Sequence, residues 1–97
     1  MLNKRFTRQF RNPVSNITDG LQHRQAVSVL NAKVAAGLLK EASLVGYRDC
    51  VAGVYDKHWL YHTTQELYYS FGIQAAQNNG AVIEHYKDCD RVLLEAN

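Results

Sequence analysis

Leu21–Gly46 reads LQHRQAVSVLNAKVAAGLLKEASLVG, and how this stretch divides decides the fold. Val27, Leu30, Val34, Leu38, Ala42 and Val45 recur at spacings of three and four, which places them on one helical face. Asp19, with Gln22 three residues on, has the spacing of a capping box. Gly46 fits a C-terminal stop. The expectation is one long helix over about residues 20–45, ~37 Å from end to end. Ala32, Ala35, Ala36 and Gly37 would let a second helix approach closely. A rod of that length is long for so small a body, so its apolar face calls for a second chain.

Working toward the N-terminus, the only proline, Pro13, stands in RNPVSNITDG. Proline pushes the preceding residue out of the α region, and the Asn, Ser, Thr, Asp and Gly that follow are turn formers. This reads as a loop. Before it lies KRFTRQFR, Lys4–Arg11. Residues 1–24 carry five basic side chains against one acidic, a net +4, while the rest carry six basic and eight acidic. A basic arm therefore precedes a mildly acidic body. Residues 1–18 are assigned to the arm and loop, and 19–97 to a single helical domain.

Toward the C-terminus, Val51, Tyr55 and His58 form a helical stripe between Arg48 and Leu60. The alternative is two short strands around Asp56–Lys57; helix is preferred because no other strand candidate completes a sheet, and a lone hairpin is marginal. Thr63-Thr-Gln-Glu66 is a capping box, followed by Leu67, Tyr68, Phe71, Gly72 and Ala75 on one face and by the stop Asn78-Asn79-Gly80. A last helix, Ala81 to Glu95, would align Val82, Tyr86, Cys89 and Leu93. The fold class is all-α, a small bundle of about four helices.

Ninety-seven residues, 46% hydrophobic and 21% charged, describe one globular domain rather than a disordered chain. No apolar run reaches the roughly 18 residues that span a bilayer, and MLNKRFTRQFR lacks the apolar core of a secretory signal. The expected compartment is a reducing cytoplasm, where the two cysteines are ordinary free thiols. Both cysteines stand in one motif, YRDC at Tyr47–Cys50 and YKDC at Tyr86–Cys89. The flanks do not match, so duplication is not the reading. In each copy Tyr and Cys, three apart, would share a helical face.

Several chemistries can be weighed on their residues. His58 and His62 are four apart, as are His85 and Cys89, a spacing by which zinc could gain three nitrogens and one thiolate. Against it, Thr63 as a cap puts His62 outside the helix of His58, and no C-x-x-C or H-E-x-x-H supports the set. No metal or cofactor is expected. No Gly-rich phosphate loop and no G-x-S-x-G accompanies the cysteines and histidines, so an enzyme is not expected. In the arm, Lys4, Arg5, Arg8 and Arg11 with Phe6 and Phe10 offer phosphate contacts and base stacking. Their plainer role is that of a solvated terminal arm, or of an arm whose Phe residues pin it to the body.

Tyr47, Tyr55, Trp59, Tyr61, Tyr68, Tyr69 and Phe71 fall within 25 residues. A small core cannot bury them all with every hydroxyl satisfied, and Tyr and Trp anchor protein interfaces. Tyr55, Trp59, Tyr61, Tyr68 and Tyr69 are therefore the candidate protein-binding residues. Tyr68–Ala75, YYSFGIQA, resembles the first helix of a tetratricopeptide repeat, with Asn79–Gly80 as its turn and Ala81–Glu95 as its second helix. One repeat cannot bury its own face, so the resemblance implies a helix pair that docks on something, not membership of the family. The expected function is a small, cytoplasmic, non-enzymatic regulatory or accessory protein, in the style of bacterial or phage factors. It would bind another protein and form a homodimer. The alternative is a nucleic-acid-binding transcriptional regulator that uses the arm, and a zinc-binding helical protein ranks below both.

Overall fold

The computed structural model describes residues 12–61 and 63–87. Four helices dominate them: α1 (Pro13–Thr18), α2 (His23–Ala35), α3 (Glu41–Val51) and α4 (Thr63–Asn78). A strand β1 (Val54–Asp56) and a 3-10 turn (Lys57–Tyr61) connect α3 to α4, and a second strand β2 (His85–Lys87) follows. The basic arm, residues 1–11, lies outside the described residues, as do His62 and Cys89.

The long helix is not formed. Gly37 takes φ +77°, a left-handed conformation that costs a side-chain-bearing residue about 1–2 kcal/mol. It closes α2 in a Schellman motif, in which Gly37 N–H donates to the Val34 carbonyl and Leu38 N–H to that of Lys33. The chain turns, and α3 begins at Glu41. The two apolar stripes that ran in phase through the sequence therefore belong to two helices. Leu30 and Ala42 are buried, but Leu38, on the turn between them, is 66% exposed. Gly37→Ala separates the two arrangements by sign. In a continuous helix it would stabilise by about 1 kcal/mol; at this turn it is expected to destabilise by about 1 kcal/mol, read from urea unfolding.

Gly46, expected to stop a helix, is inside α3 and fully involved in packing. A Cβ built on it would collide with the Tyr69 carbonyl oxygen, and one built on Gly72 of α4 with the Ser43 carbonyl oxygen and, at 2.8 Å, with the Tyr47 backbone nitrogen. Helices α3 and α4 thus cross backbone against backbone, in the most extensive interface of the fold. Ala42, Ser43 and Cys50 from α3 and Ile73, Ala75 and Ala76 from α4 are buried around them. The small residues at which close approach was expected, Ala32, Ala35, Ala36 and Gly37, are all exposed. Ser43 Oγ is buried with no hydrogen-bond partner among the described residues.

The Pro13 segment is helix rather than loop. Asn12 is its N-cap: Oδ1 accepts from Val14 N–H (2.8 Å) and Ser15 N–H (3.1 Å), and proline at the first helical position needs no donor. Asn12 Nδ2 also donates to the Phe71 carbonyl at 2.9 Å, which ties α1 to α4. Val14 and Thr18 are fully buried, so α1 is part of the core. Asp19 is the C-cap of α1, and Gln22, the N-cap residue of α2, makes no side-chain cap bond; the capping box does not form.

Two further expectations are corrected. Arg48 to Leu60 is not one helix: α3 ends at Val51 and the chain extends through β1. Ala81 to Lys87 is not helix either. It supplies β2, which pairs with β1 in parallel, Val54 opposite His85, Tyr55 opposite Tyr86 and Asp56 opposite Lys87. Parallel strands need a crossover connection, and α4 provides it. The antiparallel helix pair implied by the tetratricopeptide resemblance is therefore absent from residues 81–87. The described residues are mostly helical, with one short parallel sheet among them.

Candidate functional site

The small sheet and the 3-10 turn gather the aromatic residues. Val54 and Tyr55 are of the β-branched and aromatic types that suit extended chain. Gly53 anchors the pairing, its carbonyl accepting from Glu84 N–H at 2.8 Å and from His85 N–H at 3.1 Å. Tyr55 then meets Tyr86 across the sheet with ring centroids 5.5 Å apart, inside the range of favourable aromatic pairs. On its other side Tyr55 lies 5.5 Å from Tyr69. Trp59, on the 3-10 turn, stacks on Tyr69 at 5.2 Å with planes 14° apart. Lys57 places Nζ 5.2 Å from the centre of the Tyr86 ring, a cation–π contact.

Tyr69 is the pillar of this group. It is fully buried, donates its hydroxyl to Asp49 Oδ2 at 2.7 Å and accepts from Asp56 N–H at 2.8 Å. Burial, and then the bond to Asp49, push its ionisation well above the usual tyrosine range, against a smaller opposing effect of the Asp56 N–H. Tyr47, equally buried, also has a satisfied hydroxyl: it accepts from Asn79 Nδ2 at 3.0 Å and shares a 2.9 Å bond with His23 Nδ1. Among the described residues the core thus hides two tyrosines with satisfied hydroxyls, while Tyr55, Trp59, Tyr68, Phe71 and Tyr86 stay nearer the surface.

The candidate binding residues therefore separate. Tyr55 and Trp59 are half-buried members of the sheet group, and Tyr69 is its buried base, with no surface to offer a partner. Tyr68 faces elsewhere. It packs edge-on against Phe71 at 5.8 Å and, with Pro13, Val34, Leu38 and Leu39, lines an open groove of about 480 Å³. Tyr61 ends the 3-10 turn, and its side chain lies outside the described residues. The residue missed by sequence reasoning is Tyr86, 56% exposed, with Val82 on the same segment 68% exposed. Periodicity could not find it, because three residues of strand are too few to show an alternation.

The YRDC and YKDC letters take different structures. Tyr47 and Cys50 are buried in α3 as expected, whereas Tyr86 is exposed in β2. Burial raises the Cys50 thiol above its ordinary value, which keeps it protonated and unreactive. Of the zinc candidates, His58 stands in the 3-10 turn, its backbone N–H donating to Asp56 Oδ1 at 3.0 Å, and His85 opens β2. Among the described residues no three His, Cys, Asp or Glu converge as metal ligands. Among them, too, no helix is long and apolar enough to cross a membrane.

No family model, curated protein or solved structure matches this chain.

Proposed function

We propose that this chain is a small non-enzymatic accessory or regulatory protein that acts by occupancy, binding another protein through the face built on β1 and β2. The observation that carries this reading is the exposed Tyr86, buttressed by Tyr55 and ultimately by the buried Tyr69. A rigid aromatic presented at the surface orders little on binding, and such residues dominate the energy of interfaces. Exposed Val82 adds apolar area, and Lys57 over the Tyr86 ring supplies a positive rim. A second copy of the chain is the simplest partner, giving a homodimer.

The test compares the wild-type chain with Tyr86→Ser/Val82→Ser and, as a control, Leu38→Ser in the separate groove. All three positions are exposed, so each variant is expected to fold. Val82→Ser and Leu38→Ser should change stability by about 0.5 kcal/mol or less, and Tyr86→Ser should cost about 1–2 kcal/mol through the lost Tyr55 and Lys57 contacts. The sheet-face variant is expected to lose at least ~10-fold in affinity for a captured partner, or to dissociate in sedimentation if the partner is a second copy. Equal binding by all three chains would exclude this face.

A second reading rests on charge. The net +4 of residues 1–24 suits nucleic acid, with Lys4, Arg5, Arg8 and Arg11 on phosphates. Nucleic-acid binding with a steep salt slope, abolished by removing residues 1–11, would favour that regulator instead.

A further inference from the structure

Asn79 carries more of the tertiary structure than any other polar side chain at the end of α4. Its Nδ2 donates to the Thr18 carbonyl at 2.8 Å and to the Tyr47 hydroxyl at 3.0 Å, and its Oδ1 accepts from Gly20 N–H at 3.1 Å. One amide therefore joins the end of α1, the turn into α2, the buried tyrosine of α3 and the end of α4. A carboxylate could not replace it. It has no proton for the Thr18 carbonyl and would face that oxygen with another.

The next residue makes this amide chemically vulnerable. Gly80 has φ +100° and ends α4 in a Schellman motif, with Gly80 N–H donating to the Gln77 carbonyl at 3.0 Å and Ala81 N–H to that of Ala76 at 2.9 Å. The turn requires glycine, for the conformational reason that excludes a Cβ there. The same missing side chain leaves the Gly80 nitrogen unhindered toward the Asn79 side chain. The residue pair that stops the helix is thus the pair most prone to close on itself.

We propose that Asn79 is a deamidation site that the native fold holds shut and that opening of the α4 C-terminus releases. In the open chain, base removes the Gly80 amide proton and the nitrogen attacks Asn79 Cγ. The N–Cγ bond forms, the Cγ–Nδ2 bond breaks, and ammonia leaves with a proton from solvent. Water then adds to one carbonyl carbon of the succinimide ring, and that carbon's bond to the ring nitrogen breaks, the nitrogen taking up the proton. Attack at Cγ gives aspartate, and attack at the backbone carbonyl gives isoaspartate. No oxidant or reductant takes part. In the native state Gly80 N–H is committed to the Gln77 carbonyl, and three partners on other elements hold the Asn79 amide. Fraying the last turn of α4 lifts both restraints together. The product cannot restore the Thr18 and Tyr47 bonds, so each reaction converts a transient opening into a permanent loss. The site acts as a clock on the time the chain spends locally unfolded.

The experiment incubates the full chain in mildly alkaline buffer, with and without denaturing urea, and follows deamidation and isoaspartate at Asn79 by peptide mass spectrometry. Native chain is expected to react at least ~10-fold more slowly than unfolded chain, as for any group exposed only by opening. Tyr47→Phe, which removes one of the three partners, is expected to accelerate the native reaction and leave the urea rate unchanged. Equal rates in native and unfolded chain, or a native rate indifferent to Tyr47→Phe, would overturn the proposal. Neither readout depends on whether Asn79→Asp folds.

Discussion

Replacing Gly72 with alanine is expected to cost about 3 kcal/mol, the upper end of the range for overpacking and a large part of the roughly 5–15 kcal/mol that holds a small domain folded. Helix propensity alone argues the opposite, since alanine in a helix interior gains about 1 kcal/mol over glycine. Packing wins because the new methyl meets backbone. Its obstacles are the Ser43 carbonyl oxygen and the Tyr47 nitrogen, and neither can rotate aside as a side-chain end would. Helices α3 and α4 must then separate, which opens the interface that buries Ala42, Cys50, Ile73 and Ala76. Gly46→Ala meets the Tyr69 carbonyl from the other side and is expected to behave alike. Urea unfolding followed by Trp59 fluorescence measures both, since this single tryptophan stacks on Tyr69 beside the crossing. An alanine variant as stable as wild type would mean that the two helices do not touch at these glycines.

Truncating Tyr69 is expected to be as damaging. Tyr69→Ala removes a fully buried ring that Tyr55 and Trp59 both contact, a change that costs about 3–5 kcal/mol for large aromatic residues. Tyr69→Phe keeps the ring but leaves Asp56 N–H without that hydroxyl, for about 1–3 kcal/mol. The two variants divide packing from hydrogen bonding. The hydroxyl also predicts a pH dependence. Its folded pKa is raised by burial and by donation to Asp49, whereas an unfolded tyrosine ionises near pH 10. Below that value both states are protonated and the stabilisation is complete. Above it the unfolded state loses its proton first and binds fewer protons than the native state, so stability falls with rising pH. Urea midpoints measured between about pH 9 and pH 11 should fall for wild type and fall less for Tyr69→Phe. Identical slopes would remove Tyr69 from the explanation.

The aromatic concentration between Tyr47 and Phe71 was legible as letters, but its division was not. Tyr68 and Tyr69 are neighbours in sequence, yet one lines an open groove and the other is the buried base of the sheet group. Consecutive helical residues point about 100° apart, so a cluster in sequence need not be a cluster in space. Tyr86 joined Tyr55 only because α4 returns the chain beside β1. Gly37 and Gly46 show the same limit. Both are glycines within an unbroken apolar periodicity, and the letters do not say which takes a positive φ and which meets a neighbouring backbone. Periodicity points to Gly46 as the stop and Gly37 as the close approach; the fold reverses them.

By itself the sequence determined what depends on near neighbours: a mostly helical chain, the helix that begins at Thr63, its stop at Asn78–Gly80, and the shared buried face of Tyr47 and Cys50. Caps, turns and helical periodicity act over a few residues and leave local marks. The tertiary structure alone decided the break at Gly37, the helix at Pro13, the backbone crossing of Gly46 and Gly72, and the pairing of residues 54–56 with 85–87. The crossing and the strand pairing are contacts between segments far apart in the chain, Asn12 ties the Pro13 helix to Phe71 of α4, and the turn at Gly37 frees α3 to meet α4. Three residues gain too little from local preference to become strand, and a partner some thirty positions away supplies what propensity lacks.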